Sequence, residues 1–429
     1  MSRVLFTLLA GLGILLFANA AMAGAILPIG DDASLNFGYR IQSLMVSTDA
    51  DLDGDNKFDT SREWKLRRAR FRLGATIGDH FTAFLQTDAG SVHSEVNNNK
   101  VVQVIDAWVN FTVSPWLQFI AGRNMAPANR QNLTSSGALM AIDRTGMAYK
   151  SLTWGARAAK GFATGIYGQS STNIALSPDL VRDNGLTIFG SGPLGANSLK
   201  YYVGMYNGVQ AGTDDKDRFT ARVQYNLWDP EAAYFNSSTY LGSKKTLGIG
   251  FSYDMQEQVG FNSDGTTPLP PTNPWDPATP PTVHPTQPLA DYTYMTFDVF
   301  LELPNSAGNA LTVETGWMTL DMNDAGDYLN TQGSGFYGQA GYYLASGWQP
   351  WVEFESFDSD AAADADGKKM GTYTNMRIGL TYYLEGQHAN IKLGYEAFKS
   401  DQAIITAGDG STGTEDTINT ITLGFYTTY

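Results

Sequence analysis

Polar and apolar residues alternate one by one along almost the whole chain. That period of two is the geometry of a β-strand with one wet face and one greasy face. Leu35, Phe37, Tyr39 and Ile41 alternate with Asn36, Gly38, Arg40 and Gln42. Ala69, Phe71, Leu73, Ala75 and Ile77 alternate with Arg68, Arg70, Arg72, Gly74 and Thr76. Phe219, Ala221, Val223 and Tyr225 alternate with Arg218, Thr220, Arg222 and Gln224, and Met376, Ile378 and Leu380 with Asn375, Arg377 and Gly379. Helical periodicity is nearly absent.

A soluble sandwich also alternates, so three further details decide. The polar faces carry bulky arginines, which a packed interior does not accept without partners. The runs exceed the about 5–6 residues of a globular strand and suit a tilted bilayer crossing of about 9–11. The connections also alternate in length. Gly78-Asp79, Ser114-Pro115, 345–347 and 385–387 are tight, whereas 47–63, 90–101, 255–291, 359–371 and 400–416 are long and polar. Short turns at one end and long loops at the other belong to an outer-membrane barrel. The stretch 228–244 breaks this rule, being long where a short turn is expected.

The expected fold is an all-β transmembrane antiparallel β-barrel. Its strands are read at 33–46, 64–77, 80–89, 102–113, 116–123, 185–192, 198–207, 218–227, 246–254, 292–302, 310–321, 335–344, 350–358, 372–384, 389–399 and 417–429. These make sixteen. The poorly alternating segment 147–170 would supply two more, giving eighteen, and is assigned instead to a long loop. The last run, with Ile421, Leu423, Phe425, Thr427 and Tyr429 on one face, pairs with the first so that no edge is left unsatisfied in lipid.

Arg3, the apolar run from Val4 to Phe17 and the small-residue site Ala21-Met22-Ala23 read as a signal peptide over 1–23, cleaved after Ala23. A bilayer-spanning helix takes about 20 residues, and this run is shorter. The barrel then comprises 24–429, in the bacterial outer membrane, in contact with its lipid and lipopolysaccharide.

The 429 residues hold 43 acidic against 28 basic side chains, a net charge of −15, which argues against nucleic acid as a partner. With no cysteine and four histidines there is no disulfide framework, no thiolate metal centre and no cysteine nucleophile. No metal site, cofactor or catalytic residue is expected, so the chain reads as a non-enzyme. Asp49, Asp51, Asp53, Gly54 and Asp55 imitate the start of a calcium loop, but its twelfth position is Thr60 where a bidentate Glu is required. A solvated acidic loop, bridged to lipopolysaccharide by divalent ions, is the simpler reading. Nine of the 17 prolines fall within 255–291, which marks an external loop of polyproline character.

The sharpest candidate feature is Arg68, Arg70 and Arg72 on one strand face, about 6.6 Å apart, with Arg40 on the preceding strand. Facing lipid at mid-depth would cost about 2–4 kcal/mol each, so they are placed in the lumen, together with Arg218, Arg222 and Arg377. Two readings stand side by side: an electrostatic ladder for anions, or bracing of the pore by pairing with carboxylates. Asp88, Asp106, Asp298, Glu302, Glu314, Glu353, Glu355 and Glu396 are the corresponding lumenal acids. Most lie in the C-terminal half, opposite the basic N-terminal strands, so the lumen is expected to be charge-segregated.

The runs RRARFRLGATIGDHFTAFLQTD (67–88), DAWVNF (106–111) and GRNMAPANRQNLTSSGALMAIDR (122–144) resemble the phosphate-selective porin O and P family. The resemblance implies a sixteen-stranded homotrimeric barrel with arginine-ladder positions at Arg68, Arg70 and Arg72. In porins of this size the third external loop folds inward, which here assigns 124–184 to a constriction-type region. Arg130 and Arg144 would line it, with Asp143 as counter-charge. The family's constriction lysines have no counterpart between Arg123 and Arg144. The expected function is passive diffusion of small hydrophilic solutes and ions. An anion- or phosphate-specific channel and a structural or adhesive surface barrel are the alternatives.

Overall fold

A computed structural model describes residues 24–50, 59–89, 102–145, 182–208, 216–261, 289–322, 332–369, 371–401 and 417–429. The expected signal peptide, Asp51, Asp53, Gly54 and Asp55 of the acidic loop, the segment 147–170 and most of the proline-rich loop lie outside them.

The strands are β1 (Ala25–Ile29), β2 (Ala33–Ala50), β3 (Asp59–Ile77), β4 (Phe81–Asp88), β5 (Gln103–Ser114), β6 (Leu117–Met125), β7 (Arg182–Leu194), β8 (Asn197–Tyr206) and β9 (Arg218–Trp228). They continue with β10 (Thr246–Phe261), β11 (Leu289–Pro304), β12 (Ala310–Asp321), β13 (Gly333–Tyr343), β14 (Trp348–Ser359), β15 (Tyr373–Tyr383), β16 (Ala389–Ser400) and β17 (Thr417–Thr428). One short helix, α1 (Arg130–Leu133), follows β6.

From β2 onward each strand pairs antiparallel with the next, and β17 returns to β2, closing a ring of sixteen. β1 is an addition. β17 runs along β2 as far as Thr428 opposite Arg40, and Tyr429 exchanges backbone hydrogen bonds with Tyr39. β1 takes up the same lane from Ala25 opposite Phe37 to Ile29 opposite Ala33. Without it, the start of β2 would present unpaired backbone groups, which lipid cannot satisfy. Ala-Ile-Leu-Pro-Ile has no alternation, and all five residues are exposed, so nothing in its pattern marks a strand.

The period of two appears directly in burial. Along β9, Arg218, Thr220, Arg222 and Gln224 are buried, whereas Phe219, Ala221, Val223 face outward. Phe71, Phe251, Phe297, Trp317, Phe336, Leu393 and Phe425 also stand exposed, as a lipid-facing wall requires.

The strands exceed their expected bounds at the long-loop end. β2 and β3 continue their pairing through Ser47–Arg62, Thr48–Ser61 and Asp49–Thr60, inside the expected loop 47–63. β10 and β11 likewise extend into 255–291. There the backbone ladder runs on after the hydrophobic pattern has ended.

Candidate pore interior

Register brings the N-terminal arginines together. Arg40 on β2 stands opposite Arg70 on β3, and Arg68 and Arg72 flank Arg70 on the same face. Arg40 Nη1 donates to Ser136 Oγ at 2.6 Å, and Arg70 Nη1 reaches the same hydroxyl at 3.1 Å. Arg70 Nε holds Asp88 at 2.6 Å. Arg68 donates to Gln42 Oε1 at 2.6 Å and to Asp143 at 2.9 Å. Arg72 lies 5.8 Å from the Phe84 ring centre, and its Nε and Nη1 are buried without a hydrogen-bond partner. Among the described residues neither Arg40 nor Arg72 forms an ion pair with a carboxylate.

The other expected arginines carry their own counter-charge. Arg218 binds Asp254 through Nε at 2.9 Å and Nη2 at 2.5 Å, and reaches Asp183 at 3.2 Å. Arg222 grips Asp298 with bonds of 2.5 and 2.9 Å. Arg377 pairs with Glu353 and donates to the Arg144 carbonyl at 2.6 Å. Asp106 is held by Arg182 at 2.7 Å and by Gln86 at 2.5 Å. Glu355 and Glu396 both accept from Asn375, at 3.0 and 2.8 Å. Glu314 accepts from Gln131 at 2.6 Å and Tyr337 at 2.7 Å, and Glu302 from the backbone amides of Tyr240 and Gly242, each at 2.7 Å. Acid thus meets base locally at Arg218, Arg222, Arg377 and Arg182, whereas Glu302, Glu355 and Glu396 accept from neutral donors and Arg40 and Arg72 meet no carboxylate among the described residues. Arg377 and Glu353 stand directly opposite on adjacent strands, about 4.5–5.5 Å apart, whereas Arg222 reaches Asp298 and Arg182 reaches Asp106 across one intervening strand.

Residues 126–145 are buried almost throughout. Asn129 caps α1 by accepting the Asn132 amide at 2.8 Å, and its amide donates to Tyr294 on β11 at 3.1 Å. Further along, the Met140 carbonyl accepts from Thr381 on β15 at 2.9 Å and the Ile142 carbonyl from Tyr426 on β17 at 2.7 Å. Lys392 on β16 donates to the carbonyls of Leu139 and Ala141.

Asp143 is not the counter-charge of Arg130. It pairs with Arg67 at 2.6 Å and with Arg68, whereas Arg130 takes Glu231 at 2.8 Å, Glu314 at 3.5 Å and the Phe300 ring at 3.9 Å. Arg144 is turned onto the segment's own carbonyls, donating to Gln131 at 3.0 Å and Thr134 at 2.5 Å. Burial pushes the Asp143 carboxyl up, but Arg67, Arg68 and Arg144 hold it well below its ordinary value.

Several interior groups escaped the sequence reading. Lys200 and Lys392 sit on inward positions of β8 and β16, and the same alternation that picked the arginines would have found them. Arg182 and Asp183 lie where β7 runs past its expected end, whereas Asp254 is the last residue of its expected strand, 246–254. Arg67 and Glu231 carry no periodic signal, because one is a bulge residue and the other belongs to no strand.

Residues 40–175 match the model of the phosphate-selective porin O and P family. Over that segment the chain resembles this family. The match contains all three runs on which the resemblance was read and extends beyond them at both ends. No curated protein sequence matches the chain. Among solved structures it is similar to an anion-selective porin from Comamonas acidovorans, with a TM-score of 0.54 and 11% identity over 93% of this chain and 100% of that one. It is also similar to Salmonella typhi OmpF, solved with daunomycin, at 0.51 and 12% over 94% and 100%. The outer-membrane channel DcaP of Acinetobacter baumannii aligns at 0.50 and 11%, over 95% and 100%. At such identities the likeness is one of fold, and the fold is that of outer-membrane porins.

Proposed function

We propose that this porin lets small hydrophilic solutes and ions cross the outer membrane by passive diffusion, with residues 124–145 narrowing the lumen. The observation that carries this reading is the closed ring itself. Its outer face is Phe, Leu, Val and Trp, and its inner face is Arg, Asp, Glu, Gln and Thr. A polar inner face is what water and dissolved ions require, and an apolar outer face is what acyl chains require. No bond is made or broken in such transport. Purified protein in planar bilayers should give stepwise conductance that grows with salt, and liposomes should swell in small sugars; an electrically silent protein would refute the proposal.

A preference for anions is the second reading, favoured by Arg40 and Arg72, which meet no carboxylate among the described residues. It predicts a reversal potential displaced toward the chloride potential in a potassium chloride gradient. The arginine row would act by concentrating anions and passing them from one guanidinium to the next. Two further proposals follow from the sequence reading. N-terminal sequencing of the mature protein should begin at Gly24, and unheated electrophoresis should show a trimer.

A further inference from the structure

The connection between β9 and β10, residues 229–245, lies at the end of the barrel where the other described connections are short turns. It does not hang outside the ring. Ser191 on β7 donates to the Ala232 carbonyl at 3.2 Å, Lys200 on β8 to Ala233 at 2.9 Å and to Asn236 Oδ1 at 2.8 Å, and Tyr202 to Tyr234 at 2.7 Å. On the other side Glu302 of β11 receives the Tyr240 and Gly242 amides. Gln387, in the turn between β15 and β16, reaches the Thr239 carbonyl at 3.5 Å. The segment thus crosses the mouth from β9 toward the far wall.

Inside, it meets residues 124–145. Thr134 and Asn236 share a parallel bridge, with Ser135 N donating to Asn236 O at 2.9 Å and Asn236 N to Leu133 O at 2.9 Å. Ser238 N donates to Ala138 O at 2.9 Å, and Tyr234 to the Met125 carbonyl at 2.7 Å. Arg130 Nη1 and Nη2 hold the two Glu231 oxygens at 2.8 Å each, in the bidentate geometry that fixes direction as well as charge. Tyr240 at 2.6 Å, Gln224 at 2.7 Å and Asn226 at 3.3 Å also donate to the carboxylate.

We infer that residues 229–245 form a second wall of the constriction, entering from the turn end, and that Glu231 is the residue through which this wall sets ion preference. The inference rests on the diffusion reading above. Glu231 cancels the charge of Arg130 at the place where the two inward segments touch. Burial pushes its carboxyl up, yet Arg130 beside it holds it below the ordinary range, so the cancelling charge is present at neutral pH. The wall is fixed, because its bonds reach β7, β8 and β11 as well as the other segment and would all have to part together.

Three variants test this in planar bilayers. Glu231→Gln leaves Arg130 with Glu314 alone and should raise the anion-to-cation permeability ratio about threefold. Replacing 231–243 by Asn-Gly should raise unit conductance by about twofold or more. The chain has no cysteine, so Thr134→Cys with Asn236→Cys supplies one defined disulfide across the bridge, and the oxidised and reduced forms should conduct alike. Unchanged permeability in the first variant together with unchanged conductance in the second overturns the inference. So does a disulfide that silences the channel until reductant is added, since that would make the segment a moving plug. Wild-type protein that conducts while these variants fail leaves the diffusion reading standing; wild-type protein that does not conduct removes both.

Discussion

Arg67 reaches Asp143 at 2.6 Å, although strict alternation along β3 would turn its side chain toward lipid. The pairing of β2 with β3 explains this. Gln42 lies opposite Arg68 and Ser43 opposite Leu66, so Arg67 is the extra residue of a β-bulge and follows Arg68 inward. Two successive guanidiniums then share one carboxylate, which carries the end of the 126–145 segment onto the basic strand.

Asp143→Asn should therefore act on both selectivity and stability. It leaves Arg67 and Arg68 with a neutral acceptor, so anion preference in reversal-potential measurements should rise. Loss of the charged hydrogen bonds should cost about 1–3 kcal/mol, read as a lower unfolding temperature. The pH dependence follows from the same contacts. The folded carboxyl titrates below its ordinary value, so the stabilisation is fully present above about pH 4 and is lost only as pH falls through the lower folded value. The difference in ion preference between wild type and Asp143→Asn should stay flat from neutral pH down to that point and vanish below it.

Arginines that meet carboxylates and arginines that do not should separate experimentally. Arg72→Ala removes a guanidinium with no ion-pair partner among the described residues, so the anion-to-cation permeability ratio should fall several-fold while folding is retained. The triple change Arg68→Ala, Arg70→Ala and Arg72→Ala should deepen the fall. Arg222→Ala instead strands Asp298 in a buried site. Breaking such a pair costs about 3–5 kcal/mol, so its signature should be a lower unfolding temperature, read by heat-dependent mobility in gels.

The outward face makes a complementary prediction. Phe71 lies between Arg70 and Arg72 and is half exposed, at 50%. Phe71→Arg at mid-depth should cost about 2–4 kcal/mol and lower the yield of barrel folded into lipid vesicles. The conservative Phe71→Leu should fold as wild type. Equal folding yields for Arg and Leu would contradict the assignment of this face to lipid.

These contrasts mark what a linear sequence discloses. The strand at Arg218–Trp228 was legible because one face meets lipid and the other water, and its side chains must alternate accordingly. β1 was not, since its five residues complete a hydrogen-bond lane and pack no alternating face. The inward placement of Arg68, Arg70 and Arg72 was legible from the cost of putting them in lipid. Their partners were not: which acid meets which base depends on strand register, and register places Asp254 beside Arg218 and Asp298 beside Arg222. Residues 229–245 gave one signal, excess length at the short-turn end. Nothing in that stretch announces that Glu231 will meet Arg130, because the contact joins two irregular segments entering from opposite mouths.

Gly137 offers a way to move a charge without removing it. A methyl group there would lie 2.4 Å from Arg40 Nη2 and 2.7 Å from its Cζ, so Gly137→Ala forces the guanidinium away. The clash is with the far end of a flexible side chain, and no backbone has to shift. Stability should fall by about 1–3 kcal/mol, because a buried guanidinium loses a charged hydrogen bond. Arg40 would lose its 2.6 Å bond to Ser136, the hydroxyl it shares with Arg70. If the positions of these guanidiniums govern anion passage, permeability should fall in this variant at unchanged net charge. If charge alone matters, Gly137→Ala should conduct as wild type and only the arginine-to-alanine variants should differ. Reversal potential and unfolding temperature measured on the same preparation distinguish the two outcomes.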